Sequence, residues 1–199
     1  MVLVHPMSFD SLIHLETEIA EYTGAPYAVV TDGCTHAIEL AMRWYRVQRV
    51  EFSAFTYLSI PQTMINMGIE FTLTDERWSG EYQFHGTNIW DSARRLEPGM
   101  YQPGQVQCLS FGHGKPLEVG KCGAILLDDQ SAYYHLSRMR SDGRDLAVTP
   151  WIDQQLFSPG WHYCPTLETV DRAREKLKTV APQCQTVEYP DCRRVQILA

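Results

Sequence analysis

Along most of this chain, short apolar runs alternate with stretches in which apolar residues recur every three or four positions. Leu12, Leu15, Ile19 and Tyr22 follow the helical spacing, which predicts a helix with Ser8 as its N-cap and Gly24 as its terminating glycine. Ala28-Val29-Val30 reads as a short buried strand. The turn Thr31-Asp32-Gly33-Cys34-Thr35 opens a second helix, His36 to about Arg46, with Ala37, Leu40, Ala41 and Trp44 on one face. Val50-Glu51-Phe52 is a strand, and residues 53–57 form a loop. A third helix runs from Pro61 to about Met67 and stops at Gly68. Residues 69–73 are strand-like.

The second half is less regular. Residues 76–85 carry no period and read as a loop. Asn88-Ile89-Trp90 predicts a strand ending at Asp91, and 106–111 and 124–127 predict two more. Residues 131–140 read as a helix, and 142–163, rich in Gly, Pro and aromatics, as an irregular crossing segment. Residues 167–180 form a charged amphipathic helix, followed by little more than a short strand or two. The alternation predicts a compact α/β fold with a mostly parallel central sheet and flanking helices.

Composition narrows the function classes. The formal net charge of −7 supplies no positive field for phosphate backbones, so nucleic-acid binding is not expected. None of the six cysteines is in a CxxC pair, so no metal site is expected, and reduced buried thiols of a cytoplasmic protein are the reading. Residues 1–10 lack a basic stretch followed by an apolar one, so no signal peptide is expected. No apolar run approaches the about 20 residues of a membrane span.

Three features fall at strand ends and helix starts, where an α/β sheet places its ligands. Gly33-Cys34-Thr35 offers free backbone N–H groups and a positive helix end to a phosphate; alternatively, Thr35 caps the helix. Asp91 could pair with a protonated pyridine nitrogen, or cap a helix starting at Ser92. Lys115, in the turn Gly112-His113-Gly114-Lys115 between two strands, is placed to form a Schiff base with a carbonyl cofactor, or is a solvated surface lysine. Tyr57 could stack on a planar ring or plug the core. Phosphate turn, aromatic loop, strand-end Asp and then Lys together make a site for pyridoxal phosphate. Arg138, Arg140 and Arg144 could engage an anionic substrate group or lie on the surface.

These stretches resemble the DegT/DnrJ/EryC1/StrS sugar aminotransferases, of the fold-type I pyridoxal-phosphate class. The likeness is carried by Leu15 through Ala25, Gly33 through Ala41, Phe55 through Gly68, Asp91-Ser92-Ala93 and Ser110 through Ala124, and it spans roughly residues 9–180. The resemblance implies that Lys115 is the Schiff-base lysine and proton shuttle, that Asp91 holds the pyridine nitrogen and that Tyr57 stacks on the ring. Gly33, Cys34 (through its backbone N–H), Thr35 and Ser110 would hold the phosphate. Arg94, His113 and Arg144 are candidate substrate contacts. It implies a homodimer that moves an amino group from a donor such as glutamate to a keto-sugar or nucleotide-sugar. The chain departs from the family pattern at Cys34, Arg94, Lys121-Cys122 and Cys164. The stretch before Asp91 is short. The closing domain is reduced, so that residues 1–164 form the cofactor-binding unit and 165–199 a residual helix and tail. A different pyridoxal-phosphate reaction (decarboxylation, elimination or modified-nucleotide chemistry) or a non-catalytic scaffold or partner subunit are the alternatives.

Overall fold

The computed structural model describes residues 9–195. The elements run α1 (Asp10–Thr23), β1 (Tyr27–Thr31), α2 (Cys34–Trp44), β2 (Arg49–Ser53), α3 (Ser59–Met67) and β3 (Glu70–Thr74). They continue with β4 (Tyr82–Gln83), β5 (Ile89–Asp91), β6 (Arg95–Leu96), β7 (Val106–Ser110), β8 (Gly123–Leu127), α4 (Gln130–Arg140), α5 (Leu167–Leu177) and β9 (Gln183–Cys184). The expected N-cap Ser8 lies outside the described residues. Gly24 and Gly68 do end α1 and α3, at φ +76° and +68°, left-handed values that glycine adopts without a Cβ penalty.

The α/β class expected from the sequence holds, with one correction. The main sheet has the order β1-β8-β7-β5-β4, and β5–β7 is its one parallel pair among the described residues. Strands β1, β5 and β7 do point the same way. The segment 111–122 carries no helix, so the chain doubles back as β8, antiparallel between β7 and β1. A second departure lies in 76–85, read as a loop. Its Tyr82 and Gln83 form β4, a hairpin partner of β5. Paired backbone bonds between Glu51 and His85 then join β4 to β2, which pairs in parallel with β3.

Successive residues of the central strands serve opposite faces. Val29, Cys108, Ile125 and Leu127 pack with Ala37, Ile38, Leu40 and Ala41 of α2 and with Leu136 of α4. Ala28, Val30, Leu109, Ala124 and Leu126 pack with Leu12, Leu15 and Ile19 of α1 and with Val170, Ala173 and Leu177 of α5. Burial on both faces explains why these strands read as unbroken apolar runs. The helix of 165–199 is therefore built into the core, and Arg174 on it pairs with Glu18 on α1 at 2.6 Å.

Inside this packing lies a buried ion pair. Arg140 Nη1 reaches Glu16 Oε1 at 2.6 Å and donates to the carbonyl of Val30 at 2.7 Å, while Val30 N donates to Glu16 at 2.9 Å. Burial pushes the Glu16 carboxyl up, and the Arg140 charge opposes it. Arg140 thus ties α4 to α1 and β1, and it is 2% exposed and does not line the cleft at the ends of β1, β5 and β7. Among the described residues no helix is long and apolar enough to cross a membrane.

Candidate functional site

The ends of β1, β5 and β7, with the start of β8, open on one cleft of about 690 Å³, within the ordinary range of ligand sites. Most of the residues singled out in the sequence line it: Gly33, Cys34, Thr35, Tyr57, Asp91, Arg94, Ser110, His113 and Lys115. Arg144 does not. Its guanidinium lies over the Phe9 ring at 5.8 Å and 4.0 Å from Asp142. Arg138 also turns away, donating to the Leu156 carbonyl at 2.6 Å and to the Tyr134 hydroxyl at 2.9 Å.

The α2 N-terminus forms one wall. No side chain caps it, and a Cβ built on its N-cap, Gly33, would meet nothing within 4 Å. Thr35 does not cap the helix; its hydroxyl meets that of Ser59 at 2.8 Å, at the start of α3. Two hydroxyls and the unbonded first-turn N–H groups therefore face the same space, a suitable cradle for a phosphate. The turn can sit this low because residue 123 is glycine. A Cβ there would lie 2.6 Å from the Leu109 carbonyl oxygen and 2.7 Å from Cys34 N.

Asp91 stands at the end of β5, where its carboxylate is 4% exposed. No helix follows it; Oδ1 instead accepts from Ala93 N at 3.0 Å, a turn bond. Oδ2 accepts from the Tyr82 hydroxyl at 3.1 Å, and Tyr82 also meets Thr56 Oγ1 at 2.7 Å. Burial pushes the Asp91 carboxyl up, against the opposing pull of the Ala93 N–H, the Lys115 charge, Tyr82 and Cys34. Among the described residues no cation lies within ion-pair distance of it. The Cys34 thiol, held up by burial first and by Asp91 second, donates to the Cys108 carbonyl at 3.3 Å. At neutral pH it is an uncharged filler, and its backbone N–H is the part that faces the cradle.

Lys115 is half-buried on the loop between β7 and β8. Buried Leu117 and Val119 anchor that loop, and Phe111 and Cys122 close its base with a backbone bond of 2.9 Å. The Lys115 amine donates to the Tyr189 hydroxyl at 3.3 Å. His113 is exposed at the rim and pairs with Glu118 at 2.5 Å. Tyr57, 62% exposed, presents its ring at the mouth.

Sequence reasoning missed Ser59, Tyr82 and Tyr189. Tyr82 was hidden in a segment with no period. Tyr189 had a faint signal: Val187-Glu188-Tyr189 alternates apolar and polar residues, and the structure turns Val187 and Tyr189 inward and Thr186 and Glu188 outward.

Comparison with known proteins bears out the resemblance read from the sequence. Residues 8–77 match the model of the DegT/DnrJ/EryC1/StrS aminotransferase family. Among curated proteins, none matches the chain. The fold is shared with AtS13 from Actinomadura melliaura at a TM-score of 0.73 and 16% identity, covering 86% of this chain and 60% of that one. It is shared with the sugar aminotransferase CalS13 from Micromonospora echinospora at 0.69 and 14%, covering 85% and 60%. Spr1654 from Streptococcus pneumoniae, solved in its PMP-form, matches at 0.68 and 14%, covering 85% and 59%. The chain thus spans about 60% of the length of these solved structures.

Proposed function

We propose that this chain, with the DegT/DnrJ/EryC1/StrS pattern over residues 8–77 and the fold of its solved relatives, is a pyridoxal-phosphate aminotransferase acting on a keto-sugar or nucleotide-sugar. The observation that carries this reading is Asp91. A buried carboxylate without a cationic partner is costly, and a protonated ring nitrogen in the cleft would complete it. The uncapped α2 terminus with Thr35, Ser59 and Ser110, lining the same cleft, suits the phosphate. The cleft therefore fits the cofactor in charge as well as in size.

When bound, pyridoxal phosphate supplies an aldehyde that condenses with amines and a cationic ring that withdraws electrons. The chain's residues do the rest. Lys115 Nζ would be the amine that holds the aldehyde and, when free, the base that takes a proton from the donor's α-carbon and returns one to the acceptor carbon. Asp91 would hold the ring nitrogen protonated, its carboxylate oriented by the Tyr82 hydroxyl and Ala93 N–H. Tyr57 would cover a ring face. Arg94 and His113 stand at the rim where a substrate enters. We take the working form to be a homodimer, a reading supported by the family resemblance and by the exposed Tyr57 and Leu58 at the rim. The free thiols suit a reducing, cytoplasmic setting.

A spectral titration tests the reading. Added pyridoxal phosphate should turn the protein yellow, and glutamate should bleach that colour. A yellow protein indifferent to amino donors would point to another reaction of the same cofactor, and a colourless one to a non-catalytic chain.

A further inference from the structure

The segment after α5 crosses the mouth of the cleft and is fastened on both sides. On one side β9 pairs with β6, Gln185 N donates to the Arg94 carbonyl at 2.8 Å, and Gly80 N donates to the Gln185 carbonyl at 3.0 Å. On the other, Cys192 N donates to the Ala54 carbonyl at 2.9 Å and Arg193 pairs with Asp75 at 2.6 Å. Tyr189 lies between these anchors. Its ring stacks on Trp78 at 5.7 Å and meets Tyr57 edge-on at 6.5 Å. Its hydroxyl accepts from Arg94 Nε at 3.0 Å and from Lys115 Nζ at 3.3 Å.

Arg94 is committed to this junction. Besides Tyr189, its Nη1 donates to the Gly114 carbonyl at 2.7 Å and to Gln185 Oε1 at 3.1 Å. A guanidinium has only donors. Here three of its five N–H donors go to one acceptor on the lysine loop and two on the tail. Arg94 therefore ties the tail to the loop that carries Lys115.

We propose that Tyr189 is a positioning residue for the Lys115 amine, held in place by Arg94 as a latch between the tail and the lysine loop. This rests on the assignment of Lys115 above, which makes the orientation of that amine consequential. A phenol oxygen taking donors from both cations fixes the amine on the tail side of the cleft. The stacked ring limits access to it from solvent.

The test uses the full chain without cofactor. Reductive methylation by formaldehyde and an amine–borane is followed at Lys115 by peptide mass spectrometry, with exposed Lys178 as internal reference. Tyr189→Phe should raise the Lys115 rate roughly threefold, the scale of one hydrogen bond. Tyr189→Ala and Arg94→Gln should raise it at least as much, all with the Lys178 rate unchanged. Because Tyr189→Phe keeps the ring on Trp78 and removes only the hydroxyl, a faster Lys115 reaction in that variant reports the lost hydrogen bond and not a looser wall. An unchanged Lys115 rate in Tyr189→Phe would overturn the proposal, as would an unchanged rate in Tyr189→Ala. The cofactor reading is judged separately, by borohydride fixation on the parent chain. Either result can fail without the other.

Discussion

The Tyr82 hydroxyl donates to Asp91 Oδ2 at 3.1 Å in a wall where both side chains are buried. Burial moves both groups up, Tyr82 well above the ordinary phenol range. For Asp91 the linkage sign follows. A carboxyl raised in the folded state gives its full stability below the unfolded value and loses it as pH rises through the folded value. Ionising Asp91 within the cleft therefore costs stability as pH rises. Asp91→Asn should stabilise the cofactor-free protein by roughly 1 kcal/mol, raising Tm by about 2–4 °C, while abolishing tight cofactor binding. Thermal melts at pH 7 and at acid pH check this. The gain should shrink in acid, and a lower Tm at pH 7 would count against the account.

Gly123→Ala probes the cradle. Its new methyl would press on the Leu109 carbonyl, Cys34 N and the Gly33 carbonyl carbon, all backbone atoms that yield poorly. A cost of about 1–3 kcal/mol is expected, with the α2 terminus displaced and pyridoxal-phosphate affinity reduced by about tenfold or more. Denaturant melts and cofactor titration of the same variant measure both.

The Arg140–Glu16 pair should behave as structure. Arg140→Ala leaves a buried carboxylate alone and should cost about 3–5 kcal/mol. A joint Arg140→Met, Glu16→Leu replacement should recover only part of that loss, because it also removes the partners of the buried Val30 N–H and carbonyl. If Arg140→Ala instead melted like the parent and lost only substrate affinity, the assignment of Arg140 to the core would be wrong.

The thiols give a fourth check. Cys184 is exposed, whereas Cys34, Cys108 and Cys122 are buried, with Cys122 pushed up to about 12 by desolvation. Iodoacetamide at neutral pH should label Cys184 first and leave those three unmodified until the chain is denatured. Prompt labelling of Cys34 would mean that the wall behind Asp91 is open.

Local signals made much of this legible. Helical spacing in α1 and α2, glycine stops at Gly24 and Gly68, and apolar runs at β1, β7 and β8 fixed the elements, and their order brought Gly33, Asp91 and Lys115 to one edge. What failed was non-local. Nothing in 106–127 announces that β8 returns antiparallel between β7 and β1. Tyr82 sits in a two-residue strand too short to show a period. Arg138, Arg140 and Arg144 read alike in sequence, yet one is an ion-paired core residue and the others serve the 142–163 segment, because pairing across more than a hundred residues leaves no local mark. Tyr189 reaches the cleft through a tail whose path depends on backbone bonds to Arg94 and Ala54.

The central claim is that Lys115 is the amine that captures pyridoxal phosphate against Asp91. Borohydride treatment of the protein mixed with the cofactor, followed by peptide mapping, tests it most directly. The account predicts one reduced pyridoxyl phosphate adduct, on Lys115, sharply reduced in Asp91→Asn and missing in Lys115→Ala. An adduct spread evenly over surface lysines such as Lys176 and Lys178, and unchanged in both variants, would contradict it.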